Sequence, residues 1–206
     1  MKPAPLDPVS TPVNDVPVLN LPNALTVLRL LLVPVLIVLF VLPQSDGVRW
    51  AAAAVFVIAA LTDIVDGRIA RSRGLVTSFG KLADPIADKA LTGTALIGLS
   101  LLGELAWWIT AVIIIREIAV TLMRFWVINH GVIPASRGGK AKTLAQVIAI
   151  TMYLVPLDGW WVTLSQIVMS VALILTIATG IDYAVRARAL RRQPPGTLSS
   201  IGAVRP

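Results

Sequence analysis

The chain has no cysteine among its 206 residues and a single histidine, His130. Disulfides and thiolate metal sites are therefore excluded, and one imidazole cannot build a histidine metal centre. A lone loop histidine of this kind is expected to be merely solvated. Charge is scarce too: 14% of residues are Asp, Glu, Lys or Arg, whereas 56% are hydrophobic. That is too apolar for an ordinary soluble domain. The apolar stretches lack the two-residue alternation of a membrane β-barrel, so helices are favoured. Internal repeats are absent.

What the sequence does have is long apolar blocks. Six lie near residues 24–42, 49–68, 83–102, 105–128, 142–157 and 160–185. Most approach the roughly 20 residues that a helix needs to cross a bilayer. The expectation is an all-α, polytopic integral membrane protein with six transmembrane helices. One domain spans 21–190, preceded by a cytoplasmic or interfacial segment at 1–20 and followed by a disordered cytoplasmic tail at 191–206. The first block starts about 20 residues in, with one lysine before it and no small-residue cleavage site after it, so no signal peptide is expected. PQSDG at 43–47 reads as a short outer loop, and GVIPASRGG at 131–139 as an inner one. Pro22 and Asn23 suit the start of the first helix, where Asn or Thr can cap exposed amides.

The net charge of +7 is distributed unevenly. One set of connections holds Arg68, Arg71, Arg73 and Lys81, then Arg137, Lys140 and Lys142, then Arg186, Arg188, Arg191 and Arg192. The other holds Asp46 with Arg49, then Glu104, then Asp158. Under the positive-inside rule the first set and both termini face the cytoplasm. The basic surface also suits anionic lipid headgroups. Because the charges follow topology and no nucleic-acid motif accompanies them, a nucleic-acid partner is not expected.

Against this background one stretch stands out. DIVDGRIARSRGLVTSFGKLADPIAD, at 63–88, carries four of the eleven acidic residues: Asp63, Asp66, Asp84 and Asp88. Spacings of three and four put each pair on one helix face. If the two helices are neighbours, four carboxylates meet and repel unless a cation joins them. All-oxygen ligation suits hard ions such as Mg²⁺, Mn²⁺ or Ca²⁺, and four carboxylates can hold two. A two-metal clamp serves phosphoryl chemistry. Gly67 lets backbone approach a ligand. Ala70 keeps the same face small, and Arg71 can set a cation beside a phosphate. Gly80, one turn before Asp84, again leaves space. The plainer reading pairs the aspartates with Arg68, Arg71 and Lys81, but it does not account for their helical spacing between apolar blocks.

Asp63-x-x-Asp66-Gly67-x-x-Ala70-Arg71, eight residues, Gly80-x-x-x-Asp84-x-x-x-Asp88 resembles the full signature of the CDP-alcohol phosphatidyltransferase family. The resemblance extends to the whole chain, with six helices and the signature across the second and third. It implies transfer of a phosphatidyl group from a CDP-linked lipid to an alcohol, with release of CMP. It further implies that Asp63, Asp66 and Asp84 are the chief metal ligands. Asp88 would be the general base and would also touch metal. Gly67, Ala70, Arg71 and Gly80 would line the CDP pocket. A homodimer is also implied.

The signature leaves the acceptor open. Arg116 and Glu117 interrupt the fourth apolar block, with Arg124 two turns on. Charges inside such a block usually face a polar cavity, although a structural Arg116–Glu117 pair accounts for them as well. Arg137, Lys140, Lys142, Thr143 and Gln146 mark a glycine-flanked helix start that suits an anion, or simply follow the positive-inside pattern. NALTVLR, REIAVTLMR and GKAKTLAQ are similar to segments of bacterial phosphatidylglycerophosphate synthases, a branch of the family whose acceptor is sn-glycerol 3-phosphate. That resemblance implies CDP-diacylglycerol as donor and a place in the bacterial inner membrane. It puts Asn23, Thr26 and Arg29 near the nucleotide and diphosphate, and Arg116, Lys140, Lys142 and Thr143 at the acceptor phosphate. Ala83 stands where the branch often has leucine. Inositol phosphate and phosphatidylglycerol remain alternative acceptors. A divalent-ion transporter would spread its acidic residues through the membrane depth, and a scaffold would not need four convergent carboxylates.

Overall fold

In the computed structural model, which describes residues 20–73, 77–127 and 137–192, the chain folds into six α-helices. They are α1 (Leu21–Val41), α2 (Asp46–Arg73), α3 (Ser78–Leu101), α4 (Trp107–Val127), α5 (Arg137–Leu154) and α6 (Trp160–Arg192). No strand occurs among the described residues. His130, the segment 1–19 and the tail from 193 lie outside them. So do the side chains of Arg68, Ala70, Arg71, Arg73, Lys81, Arg124, Arg137, Arg191 and Arg192.

Each apolar block becomes one helix, but the ends move. Asn20, rather than Asn23 or a threonine, caps α1: its side-chain Oδ1 accepts the Asn23 N–H at 2.9 Å. Asp46 and Gly47 belong to α2, and Gly138 and Gly139 to the first turn of α5, so the last residues of both expected loops are helical. Backbone hydrogen bonding carries the helix past the point where hydrophobicity stops. For the same reason α6 runs seven residues beyond the last apolar block, to Arg192. Pro34 in α1 and Pro85 in α3 sit inside helices; each removes one ladder hydrogen bond without ending the helix.

Core stripes explain how the helices are turned. In α1, Pro22, Thr26, Arg29, Leu36 and the partly buried Val33 and Phe40 repeat at three and four. In α2, Ala52, Phe56 and Ala59 are buried, and the same stripe runs on into Asp63 and Asp66. In α3, Ala83, Ala87, Leu91, Ala95 and Leu99 form a buried row at every fourth position. Asp84, Asp88 and Thr92 form the adjacent row, so the alanine row fixes where the carboxylates lie. The many core alanines let backbones approach closely, as membrane helix packing requires.

Ends of the bundle differ in chemistry. At one end Arg49 bridges three elements: Nη1 meets Glu104 at 2.7 Å, Nη2 donates to Tyr153 O at 2.8 Å and Nε to Leu154 O at 3.3 Å. Five exposed tryptophans, Trp50, Trp107, Trp108, Trp160 and Trp161, open α2, α4 and α6 at that end. The aspartates lie at the other. Three helices are long and apolar enough to cross a membrane by length and composition: Leu21–Val41, Asp46–Gly67 and Trp160–Ala189. Helices α3, α4 and α5 are interrupted by charge, and the interrupting residues include Asp84, Asp88, Arg116, Glu117, Lys140 and Lys142.

Candidate active site

The site is assembled from the N-terminal ends of α1, α3 and α5 and the C-terminal halves of α2 and α4. Arg29 is wholly buried at its centre. Its Nη1 lies 2.8 Å from Asp63 Oδ1 and its Nη2 pairs with Asp66 Oδ2. Asp66 is buried, whereas the Asp63 side chain is 39% exposed and so faces the approach to the site. Thr26 donates its hydroxyl to Asp84 Oδ1, from one turn further toward the helix start. The α1 residues that the resemblance puts beside the nucleotide therefore bond to three of the four aspartates. A buried carboxylate without such partners would be costly, which is the physical reason α1 is polar here.

Gly80 has a packing role. A Cβ there would lie 2.9 Å from Asn23 Oδ1 and 3.3 Å from Thr77 Oγ1. Asn23 of α1 thus packs directly against this position of α3. Thr77 was not singled out by sequence: it caps α3, accepting the Gly80 N–H and donating to Asn23 Oδ1, both at 3.0 Å. A Thr-x-x-Gly just ahead of the third apolar block was the available signal.

Asp66 lies within electrostatic range of Asp63 and Asp84, and Asp88 within range of Asp63. Among the described residues no three carboxylates come close enough to ligate one ion as they stand. The donor chemistry nevertheless fits a hard divalent cation: carboxylate oxygens only, gathered where the fold already stabilises the positive charge of Arg29. Gly67 follows Asp66 inside α2.

Asp88 also lines a second space. A cavity of about 180 Å³ lies between α3, α4 and α5. Asp88, Lys89, Glu117, Lys142, Thr143 and Gln146 form its polar part; Leu96, Ile113, Ile114 and Ile150 belong to its apolar part. Lys142 is buried, and its Nζ pairs with Glu117 Oε1. Arg116 Nη1 reaches the same oxygen at 2.9 Å, while its Nη2 donates to Thr179 at 2.7 Å. Arg116 accordingly leans toward α6, and the plain Arg116–Glu117 pairing does occur. Lys140 is exposed near the start of α5, and Thr143 Oγ1 donates to Gly139 O at 3.1 Å. Of the four residues expected at an acceptor phosphate, Lys142 and Thr143 line the cavity with Asp88. Lys89 and Thr92 line it as well and were missed, although Thr92 follows Asp88 by one helical turn.

The arrangement can place a carboxylate next to a basic, partly apolar cavity on one side and an acidic cluster on the other. Comparison with known proteins agrees with that chemistry. A probable phosphatidylglycerophosphate synthase of Mycobacterium tuberculosis is 50% identical over 170 residues, covering 82% of this chain and 81% of that protein. The CDP-diacylglycerol–glycerol-3-phosphate 3-phosphatidyltransferase of Bacillus subtilis is 37% identical over 179 residues, covering 80% and 93%. That of Shigella flexneri is 36% identical over 178 residues, covering 82% and 96%. The family model for CDP-alcohol phosphatidyltransferases matches residues 19–178, and this chain belongs to that family.

Proposed function

We propose that the chain is a six-span membrane enzyme that transfers the phosphatidyl group of CDP-diacylglycerol to sn-glycerol 3-phosphate. The products are phosphatidylglycerol phosphate and CMP. The observation that carries this reading is Asp88, which shares one cavity with Lys142 and Thr143 and follows Asp84, the carboxylate bonded by Thr26, by one turn of α3. The printed names of the Bacillus and Shigella relatives carry the same donor and acceptor.

In this mechanism the glycerol hydroxyl oxygen attacks the lipid-side phosphorus. A new P–O bond forms as the bond to CMP breaks, and Asp88 accepts the hydroxyl proton. CMP leaves with the electron pair of the broken bond. Lys142, Arg116, Lys140 and Thr143 hold the acceptor phosphate; Asn23, Thr26, Arg29, Gly67, Ala70, Arg71 and Gly80 serve the CDP moiety. Mg²⁺ or Mn²⁺, two ions held by Asp63, Asp66, Asp84 and Asp88, would neutralise pyrophosphate charge and improve CMP as a leaving group. The site opens to the cytoplasm in the bacterial inner membrane, with acyl chains in the surrounding lipid. A homodimer is carried over from the resemblance alone.

The test is CMP release by purified protein with CDP-diacylglycerol, Mg²⁺ or Mn²⁺, and separate acceptors. Release with glycerol 3-phosphate is expected. Release with inositol phosphate or phosphatidylglycerol instead would contradict the acceptor assignment, and no release with any acceptor would contradict phosphatidyl transfer.

A further inference from the structure

Helices α4 and α5 line one cavity yet barely meet: among the described residues no Cα of one comes within 8 Å of a Cα of the other. Across that gap, among the described residues, runs one ion pair, from Glu117 of α4 to Lys142 of α5. Both side chains are largely shielded, at 21% and 7% exposure. Glu117 is itself held from behind. Arg116 Nη1 donates to the oxygen that also binds Lys142, and Arg116 Nη2 is tied to Thr179 of α6. The Arg116 stem lies on Gly180, where a Cβ would stand 3.1 Å from its Cγ. An ordered chain of contacts thus leads from α6 through Arg116 and Glu117 to the Lys142 ammonium.

From this geometry we infer that Glu117 is a positioning residue for the acceptor: it holds Lys142 at the cavity wall shared with Asp88. The inference rests on the acceptor reading above. An ammonium on a four-carbon stem has many rotamers, and a second cation nearby repels it. A carboxylate between Arg116 and Lys142 removes the repulsion and fixes the rotamer. Among the described residues Glu117 is the single hydrogen-bond partner of Lys142, which leaves two of its three N–H donors for an anion. Lys142 and Lys89 line the cavity with Glu117 and Asp88, two cations to two carboxylates, and Arg116 behind Glu117 offsets the Glu117 charge, which leaves the Lys142 ammonium available to a phosphate. Positioning of this kind acts on binding of the acceptor and leaves the donor side alone.

The test compares steady-state kinetics of the unaltered protein with Glu117→Ala, Glu117→Gln, Lys142→Ala and the Glu117→Ala/Lys142→Ala double variant. Glu117→Ala is expected to raise KM for glycerol 3-phosphate about tenfold. It should change kcat by less than about threefold and KM for CDP-diacylglycerol by less than about twofold. Glu117→Gln keeps an oxygen acceptor and should lie between. In the Lys142→Ala background, removal of Glu117 should add nothing to the acceptor KM. Should Glu117→Ala fail to fold, Glu117→Gln and its double variant with Lys142→Ala carry the same comparison. An unchanged or lowered KM for glycerol 3-phosphate, or an equal effect with and without Lys142, would overturn the inference. An unaltered protein inactive with glycerol 3-phosphate would overturn the acceptor reading and this inference with it; an active one whose Glu117 variants keep their KM overturns the inference alone.

Discussion

Three of the four carboxylates survive in an apolar chain because other residues were placed to meet them. Arg29 answers Asp63 and Asp66, and Thr26 answers Asp84. Asp88 alone of the four also borders the cavity with Lys142, which supports the proton-accepting role that the resemblance implies for it. Asp88→Asn preserves size while removing basicity, so CMP release should fall by about 10²–10⁴-fold. Binding of CDP-diacylglycerol, followed by thermal stabilisation in detergent, should persist; near-normal turnover in that variant would remove the base assignment. The spacing of the aspartates and their grouping at one end were legible in the sequence. Their partners were less so. Arg29 to Asp66 spans 37 positions and Lys142 to Glu117 spans 25, and no local periodicity announces such pairings. The neighbour of Gly80 was hidden for the same reason, since the atom nearest to a Cβ there belongs to Asn23 on another helix.

At the scale of the element, helix identity followed from apolar blocks and helix ends did not. Hydrophobicity stops at the first charged or glycine residue, whereas the backbone ladder of α5 starts back at Arg137 and that of α6 runs on to Arg192. Lysine and arginine stems tolerate this because they cover apolar surface while the charged head stays polar. Close helix approach depends on particular glycines, and two make a contrast. A Cβ at Gly98 would stand 2.5 Å from the Phe40 ring, at the end of α3 away from the aspartates. Gly98→Ala should therefore cost about 1–3 kcal/mol of stability, seen as a lower thermal midpoint, while the folded fraction keeps its KM values. Gly80→Ala presses on Asn23 and Thr77 at the site itself. It should lower kcat/KM roughly tenfold as well, because small misplacements of reacting groups are costly. Equal kinetic effects from the two substitutions would show that the contact between α1 and α3 at Gly80 does not shape the site.

For the whole molecule, charge asymmetry and the exposed tryptophans argue for the same placement. The tryptophans open α2, α4 and α6 at one end, and the basic residues gather at the other. Aromatic residues favour the interface, and basic loops favour the cytoplasm. Because the chain lacks cysteine, single substitutions can report topology cleanly. Arg188→Cys should react with a membrane-impermeant thiol reagent only in inverted vesicles, and Asp158→Cys only in intact cells; the opposite pattern would reverse the proposed orientation. The all-helical fold was visible from composition and block length, and the reaction type from the family signature that contains the four aspartates. The acceptor was less visible, since it depends on how α4, α5 and α6 come together around Lys142. Incorporation of labelled glycerol 3-phosphate into chloroform-extractable lipid tests that point, and the account as a whole, most directly. Purified protein with CDP-diacylglycerol and Mg²⁺ or Mn²⁺ should yield labelled phosphatidylglycerol phosphate with equimolar CMP. Label that stays in the aqueous phase while CMP appears with another acceptor would contradict the account.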